Sequence, residues 1–219
     1  VLADDRVEHG PLEVLLTMTE ESGMDGAFGL QPGWLQADIL INTDSEEEGE
    51  IYMGCAGGID VKTTVDLTYE AIPANHIVKK LVLKGLNGGH SGGDIHLGLG
   101  NANKLLARFL AEHADELALK LIDFHGGTLR NAIPREAHII FAIPADKATQ
   151  LNSITTEFEA LLKSELAIAE KNLAIELTDT STEKPVFTAD CQSRTINLLN
   201  AMPNGVIRMS DDVEGVVET

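Results

Sequence analysis

Basic residues are scarce in this chain. Sixteen Lys and Arg stand against 35 Asp and Glu, for a formal net charge of −19. Phosphate backbones repel such a surface, so nucleic acid is excluded as a partner. Long apolar runs are missing too. None reaches the roughly 20 residues that a membrane span needs, which excludes a helical membrane anchor within the sequence. Only two cysteines occur, Cys55 and Cys191. That is too few for a disulfide framework, and a cytoplasmic location is the natural expectation. The opening VLADDRVEHG has neither the basic nor the apolar region of a signal peptide. Aromatics make up 4% of the chain, so aliphatic side chains must do most of the packing.

What is present suffices for a sizeable core: 219 residues, 43% of them hydrophobic, allow one or two domains. The chain starts at Val and ends in EGVVET without a stop signal of its own, and it reads as an internal fragment. The first part alternates strand and helix. LEVLLTMT and ADILINTD read as buried strands, with a helical stretch from about Met24 to Leu35 between them. EIYMGCAGGID gives a further strand that breaks at Gly57 and Gly58. Short continuous apolar runs separated by a helix predict parallel strands of an α/β sheet. A domain boundary is placed at the glycines, giving 1–57 and 58–219.

Beyond the boundary the order is regular. HIVKKLVLKGL is a strand and NANKLLARFLAEHA an amphipathic helix. LKLIDFHGG and AHIIFAIPA are strands joined by a loop over 128–134. TQLNSITTEFEALLKSELAIAE is a second amphipathic helix and NLAIELTD a last strand. This β-α-β-β-α-β order predicts a ferredoxin-like arrangement. A helix over CQSRTINLLNAM and a turn at PNG follow Pro185.

Acids crowd the ends of the first two predicted strands. Glu20 and Glu21 close one, and Asp44 closes the other. Ligands of parallel α/β sheets bind beyond the carboxyl ends of the strands, and a right-handed crossover returns the chain to the same edge. Glu21 and Asp44 can therefore stand side by side, where carboxylates are good ligands for a divalent cation. Adjacent residues of extended chain point to opposite sides. A division of labour follows, in which one carboxylate holds metal and the other takes a proton from an activated water. Solvated acids at strand ends are the plainer alternative. Glu46, Glu47 and Glu48 read simply as a solvated face.

GLNGGHSGGDIHLGLGNANK (85–104) brackets His90 with Gly88, Gly89, Gly92 and Gly93. Four readings stay open here. One is a phosphate-cradling loop, although Lys104 stands too far along for the P-loop pattern. His90, Asp94 and His96 form a metal cluster in the second. In the third, His90 donates a hydrogen bond to an oxygen that gains charge in a transition state. The fourth is a turn with Ser91 or Asp94 capping the next helix. GGTLRNAIPRE adds Arg130, Asn131 and Arg135 on a loop, where solvated side chains are the usual case. His113 and Asp115 form a His-x-Asp pair, but at the end of an amphipathic helix they read as surface.

Together, TMTEESGMDGAFGL, ADILINTDSEEEGEIYMGCAGG, GLNGGHSGGDIHLGLGNANKLL and GGTLRNAIPRE closely resemble the bacterial aminoacyl-histidine dipeptidases. This family is also called peptidase D, Xaa-His or cytosolic non-specific dipeptidase, and it belongs among the co-catalytic di-zinc metallopeptidases. The resemblance covers essentially the whole chain. It implies part of a parallel-sheet zinc-peptidase catalytic domain followed by a lid that commonly pairs two subunits. Glu20 then matches the general base. Glu21 matches a ligand of one zinc and Asp44 a ligand of the other. His90 matches the lid histidine that contacts the scissile carbonyl, and Asn131 a lid asparagine that helps bind substrate. The implied partners are a small dipeptide substrate and a second copy of the chain. The complete enzyme holds two zinc ions. This chain lacks counterparts of the family's upstream His-x-Asp histidine and bridging Asp and of its downstream zinc histidine, so the expectation for these residues alone is no tight zinc binding and no hydrolysis. A lid fragment without activity, and a related di-zinc deacylase or desuccinylase, are the alternatives.

Overall fold

The computed structural model describes residues 4, 6–45, 48–52, 54–55 and 57–219. It divides into two compact units, 1–62 and 63–219.

Among the described residues of the first unit the regular elements are two single-turn helices, α1 (Glu20–Gly23) and α2 (Asp25–Phe28). The residues entering them, Thr19 and Met24, take left-handed backbone with φ of 58° and 60°. Gly26 fits under this double turn because a Cβ there would lie 2.5 Å from the Met18 nitrogen. Far along the chain, the Glu13 carboxylate accepts the backbone N–H groups of Gln36 and Ala37, each at 2.8 Å.

The strands expected at LEVLLTMT, ADILINTD and EIYMGCAGGID are not formed among the described residues, and the helix expected over 24–35 is reduced to α2. Apolar runs of this kind become strands when neighbours pair their backbone and other elements cover both faces. Among the described residues of this unit they stay uncovered: Leu16 is 88% exposed and Ile41 79%. Met53 and Ala56 of the third run, and Glu46 and Glu47 of the acid run, lie outside the described residues.

The second unit holds the core. Its elements are β1 (Tyr69–Glu70), β2 (His76–Lys84), β3 (Gly89–His90), α3 (Ala102–His113), β4 (Lys120–Gly126), β5 (Ala132–Ile133), β6 (Ala137–Pro144), α4 (Ala148–Glu165), β7 (Ala174–Asp179), β8 (Val186–Phe187) and α5 (Ala189–Ala201). The four long strands form one antiparallel sheet in the order β4-β6-β2-β7. With α3 and α4 this is the ferredoxin-like arrangement that the sequence order predicts.

Alternation decides which face is buried. Leu81 and Leu83 of β2 and Ile139, Phe141 and Ile143 of β6 are fully buried. Ala102, Leu106, Phe109 and Leu110 make the apolar stripe of α3, and Leu151, Phe158 and Leu162 that of α4. Both stripes join the same cluster, and the Phe109 and Phe158 rings meet edge to face at 5.3 Å. Arg108 ties the helices at their rim. Its guanidinium reaches both oxygens of Glu165, at 2.7 and 3.2 Å, and these bonds hold that carboxyl below the usual carboxylate range. A smaller apolar cluster of Ile122, Ala142 and Val186 lies apart from this core.

Helix α5 completes the outer edge of β4. The Gln192 side-chain amide accepts from Leu121 N at 2.7 Å and donates to Leu119 O at 2.9 Å, as a neighbouring peptide group would. At the other end of α5, the Lys104 ammonium donates to the carbonyls of Leu199, Asn200 and Met202, at 3.1, 2.7 and 2.7 Å. A cation there satisfies the helix's orphan carbonyls.

Phe109→Ala is expected to lower unfolding free energy by about 3–5 kcal/mol, read by urea titration of the second unit's signal. Leu16→Ala, in the exposed run, should change it by no more than about 0.5 kcal/mol. A second expectation concerns acid. Burial pushes the His138 imidazole below the ordinary 6.5, helped by Lys80 and His125 and opposed by Asp123 and Glu136. As pH falls, the unfolded chain therefore takes up this proton before the folded one does. Stability should drop below a pH of about 6.5, and His138→Gln should flatten part of that slope in titrations from about pH 7.5 to about pH 5.

Candidate functional site

Two loops meet at one end of the sheet. The first leaves β2 and runs to α3, carrying His90; the second joins β4 to β6, carrying Asn131. A two-residue ladder holds them together, pairing Gly89 with Ile133 and His90 with Ala132. Ser91 N–H adds a bond to the Asn131 carbonyl at 2.8 Å. Two of the residues singled out in the sequence are thus brought side by side by backbone pairing. So short a ladder has no periodicity to betray it.

The first loop departs from β2 through Gly85, whose φ is 81°. A Cβ there would run into the Asn172 carbonyl, so glycine is required twice over. Within the loop, His90 sits in a nest of its own neighbours. Its backbone N–H donates to Asp94 Oδ2 at 2.7 Å. Its ring Nδ1 lies 3.0 Å from the backbone nitrogens of both Gly92 and Gly93. Both partners are donors, so Nδ1 must accept. In the neutral imidazole the proton then resides on Nε2. The flanking glycines are small for a local reason: a Cβ on Gly92 would stand 3.3 Å from the ring. His90 itself is exposed.

This arrangement narrows the open readings. The helix is capped neither by Ser91 nor by Asp94. Asn101 does so, its side chain accepting from Asn103 N and Lys104 N at 3.0 and 3.2 Å. Lys104, the lysine that the phosphate reading would need, is engaged with the end of α5 instead. His90, Asp94 and His96 do not form a metal cluster, and no group of three or more candidate ligands occurs among the described residues. His113 pairs with Glu116 at 2.6 Å and stacks near Phe109 and Phe158, away from any ligand role with Asp115.

Two clefts share the wall formed by Gly127, Leu129 and Pro134. One, of about 510 Å³, is also lined by Gly88, Gly89 and Arg135. The other, of about 410 Å³, is also lined by Ser91, Arg130 and Asn204. The second reaches the tail, where Asn204 accepts from the Asn101 amide at 2.7 Å.

In the first unit, Glu20 and Glu21 open α1 with exposed side chains. Asp44 is exposed as well, its backbone N–H bonded to Asn42 Oδ1 at 2.8 Å. Among the described residues the three carboxylates make no hydrogen bond or ion pair, and these residues do not assemble a zinc site by themselves.

Sequence reasoning missed one residue of consequence. Glu170 is 2% exposed and bonds to both ends of the His90 loop. An isolated acid past the end of a helix gives no pattern from which this could be read.

The comparisons with known proteins agree with the motifs. The model of the peptidase dimerisation domain matches residues 81–170. The chain is 66% identical over all its residues to cytosol non-specific dipeptidase of Escherichia coli (strain K12), covering 45% of that protein. Aminoacylhistidine dipeptidase from Vibrio alginolyticus, a crystal structure, matches 99% of this chain and 44% of its own at 57% identity, with a TM-score of 0.83. The chain therefore spans a little under half the length of these relatives. With identity of that order along its full length, the chain belongs to the family of the cytosol non-specific, or aminoacylhistidine, dipeptidases.

Proposed function

We propose that the chain is the middle part of a zinc-dependent dipeptidase, contributing part of the catalytic domain (1–57) and the lid (58–219), and that the complete protein hydrolyses small Xaa-His dipeptides in the cytosol. The observation that carries this reading is the seat of His90. With Nδ1 held by two backbone donors, the ring presents Nε2–H as a fixed donor. Such a donor is suited to a carbonyl oxygen that becomes negative as water attacks. A peptide bond is a substrate of that kind.

Glu20 is the base in this reading. It takes a proton from the attacking water and returns it to the departing amine, as a positioned carboxylate can. Glu21 and Asp44 would each supply one carboxylate to one of two zinc ions, whose other ligands would come from outside these 219 residues. Zinc, when bound, acts as a Lewis acid and lowers the pKa of water. Asn131 binds substrate beside His90, and its loop is kept there by the β3–β5 ladder. The match to a peptidase dimerisation domain supports a homodimer through the lid. A second reading, in which these residues act only as a dimerising lid module, is favoured by the placement of the whole core in 63–219.

The 219-residue chain is expected to show no dipeptide hydrolysis and no tight zinc binding, measured by amine release and equilibrium dialysis. Turnover by this short chain would overturn the ligand count. In a chain extended to the length of the relatives, Glu20→Ala should lower turnover by about 10²–10⁴-fold with zinc content unchanged; loss of zinc would reassign its role. There His90→Ala should cost about 10²–10³-fold in kcat with unaltered circular dichroism. An unchanged rate removes His90 from the site. Comparing Xaa-His with succinylated substrates on the extended chain separates a dipeptidase from a deacylase.

A further inference from the structure

The nest around His90 is built within one loop, and both its shape and its placement depend on how the two ends of that loop are held. That placement falls to Glu170. This residue follows α4, its backbone N–H bonded to Leu166 O at 2.8 Å. Its carboxylate is buried, and it makes no ion pair among the described residues. One oxygen, Oε2, accepts from Asn87 N at 2.7 Å. The other, Oε1, accepts from Gly100 N at 2.8 Å. Asn87 reinforces the same junction, its side-chain amide donating to the Ala169 carbonyl. Asn87 and Gly100 are the two ends of the segment that carries His90. A single carboxylate therefore closes this segment into a loop with its ends together.

Chain and side chain are fitted to each other at this point. A Cβ on Gly100 would stand 3.3 Å from both Cγ and Oε1 of Glu170, and 3.1 Å from Leu86 Cδ2. Gly100 thus leaves room for the carboxylate to approach. A buried carboxylate is costly to desolvate, and apolar packing would serve mere stability as well. Its two backbone bonds do something packing cannot do: they fix both loop ends to one rigid planar group.

We infer that Glu170 is a positioning residue for His90, holding the loop so that Nε2–H meets the substrate carbonyl. This rests on the reading of His90 given under the proposed function. Glu170 touches no reacting atom and acts through the loop alone.

Glu170→Gln is the discriminating variant. It keeps the volume, yet turns one acceptor into an amide NH₂ facing a backbone N–H. Leu151→Ala, a core truncation at the opposite end of α4, is the control for simple loss of stability. The first readout is long-range ¹H–¹⁵N NMR of His90 in the 219-residue chain. The parent chain should show a pyridine-like Nδ1 and a protonated Nε2. Glu170→Gln should lose that signature to a tautomer mixture, whereas Leu151→Ala should keep it. The second readout is kinetic, in the chain extended to the length of the relatives. There Glu170→Gln should lower kcat by about tenfold or more, with KM changed by less than about threefold, as expected for a misplaced transition-state contact. Should Glu170→Gln fail to fold, Gly100→Ala crowds the same carboxylate from 3.3 Å and should produce the same change at His90 to a smaller extent.

A folded Glu170→Gln or Gly100→Ala protein with the parent His90 signature and kcat overturns the role of Glu170. A parent chain lacking the pyridine-like Nδ1 overturns the reading of His90 itself, and with it this inference.

Discussion

Burial of one face of the antiparallel sheet beneath α3 and α4 is the constraint from which the rest of the second unit follows. Strand β2 is central, paired on both sides. Its alternation commits Leu81 and Leu83 to the core, and with them the direction in which the chain leaves the sheet. Gly85 then turns it through a left-handed conformation that the crossing Asn172 segment leaves open to no larger residue. Asn101 fixes where α3 begins. The loop carrying His90 is thus strung between two elements already anchored by apolar packing. Only short polar contacts remain to decide its shape.

Those polar contacts divide the task. Gly92 and Gly93 orient the ring, Asp94 holds the backbone of His90, and the β3–β5 ladder docks the Asn131 loop alongside. The division matters chemically because a neutral imidazole has one donor and one acceptor, and their assignment decides whether it can face a carbonyl oxygen. Backbone amides make that assignment here, with no carboxylate on the ring among the described residues.

Much of this was legible in the sequence, for a definable reason. HIVKKLVLK alternates, and ANKLLARFLAEH and ATQLNSITTEFEALLKSE place Leu and Phe at helical spacing, so each element carries its own record of the face it buries. The ferredoxin-like order followed directly. LEVLLTMT and ADILINTD carry a record just as clear, yet form no strand here. An apolar run reports what a segment would bury, whereas strand formation depends on partners that pair and cover it. One of the four open readings puts the helix cap at Ser91 or Asp94, whereas Asn101 fills that place: the three offer similar chemistry, and only the backbone path selects Asn101. Glu170 and the β3–β5 ladder join residues remote in sequence through one or two bonds each. No window of residues contains that information.

The Gln192 amide has a bearing beyond local structure. By filling the outward-facing groups of Leu119 and Leu121, it gives the margin of β4 the look of a strand already added. An incoming extended peptide finds its first docking points taken, so templated aggregation is discouraged there without the charge or proline that exposed margins often use.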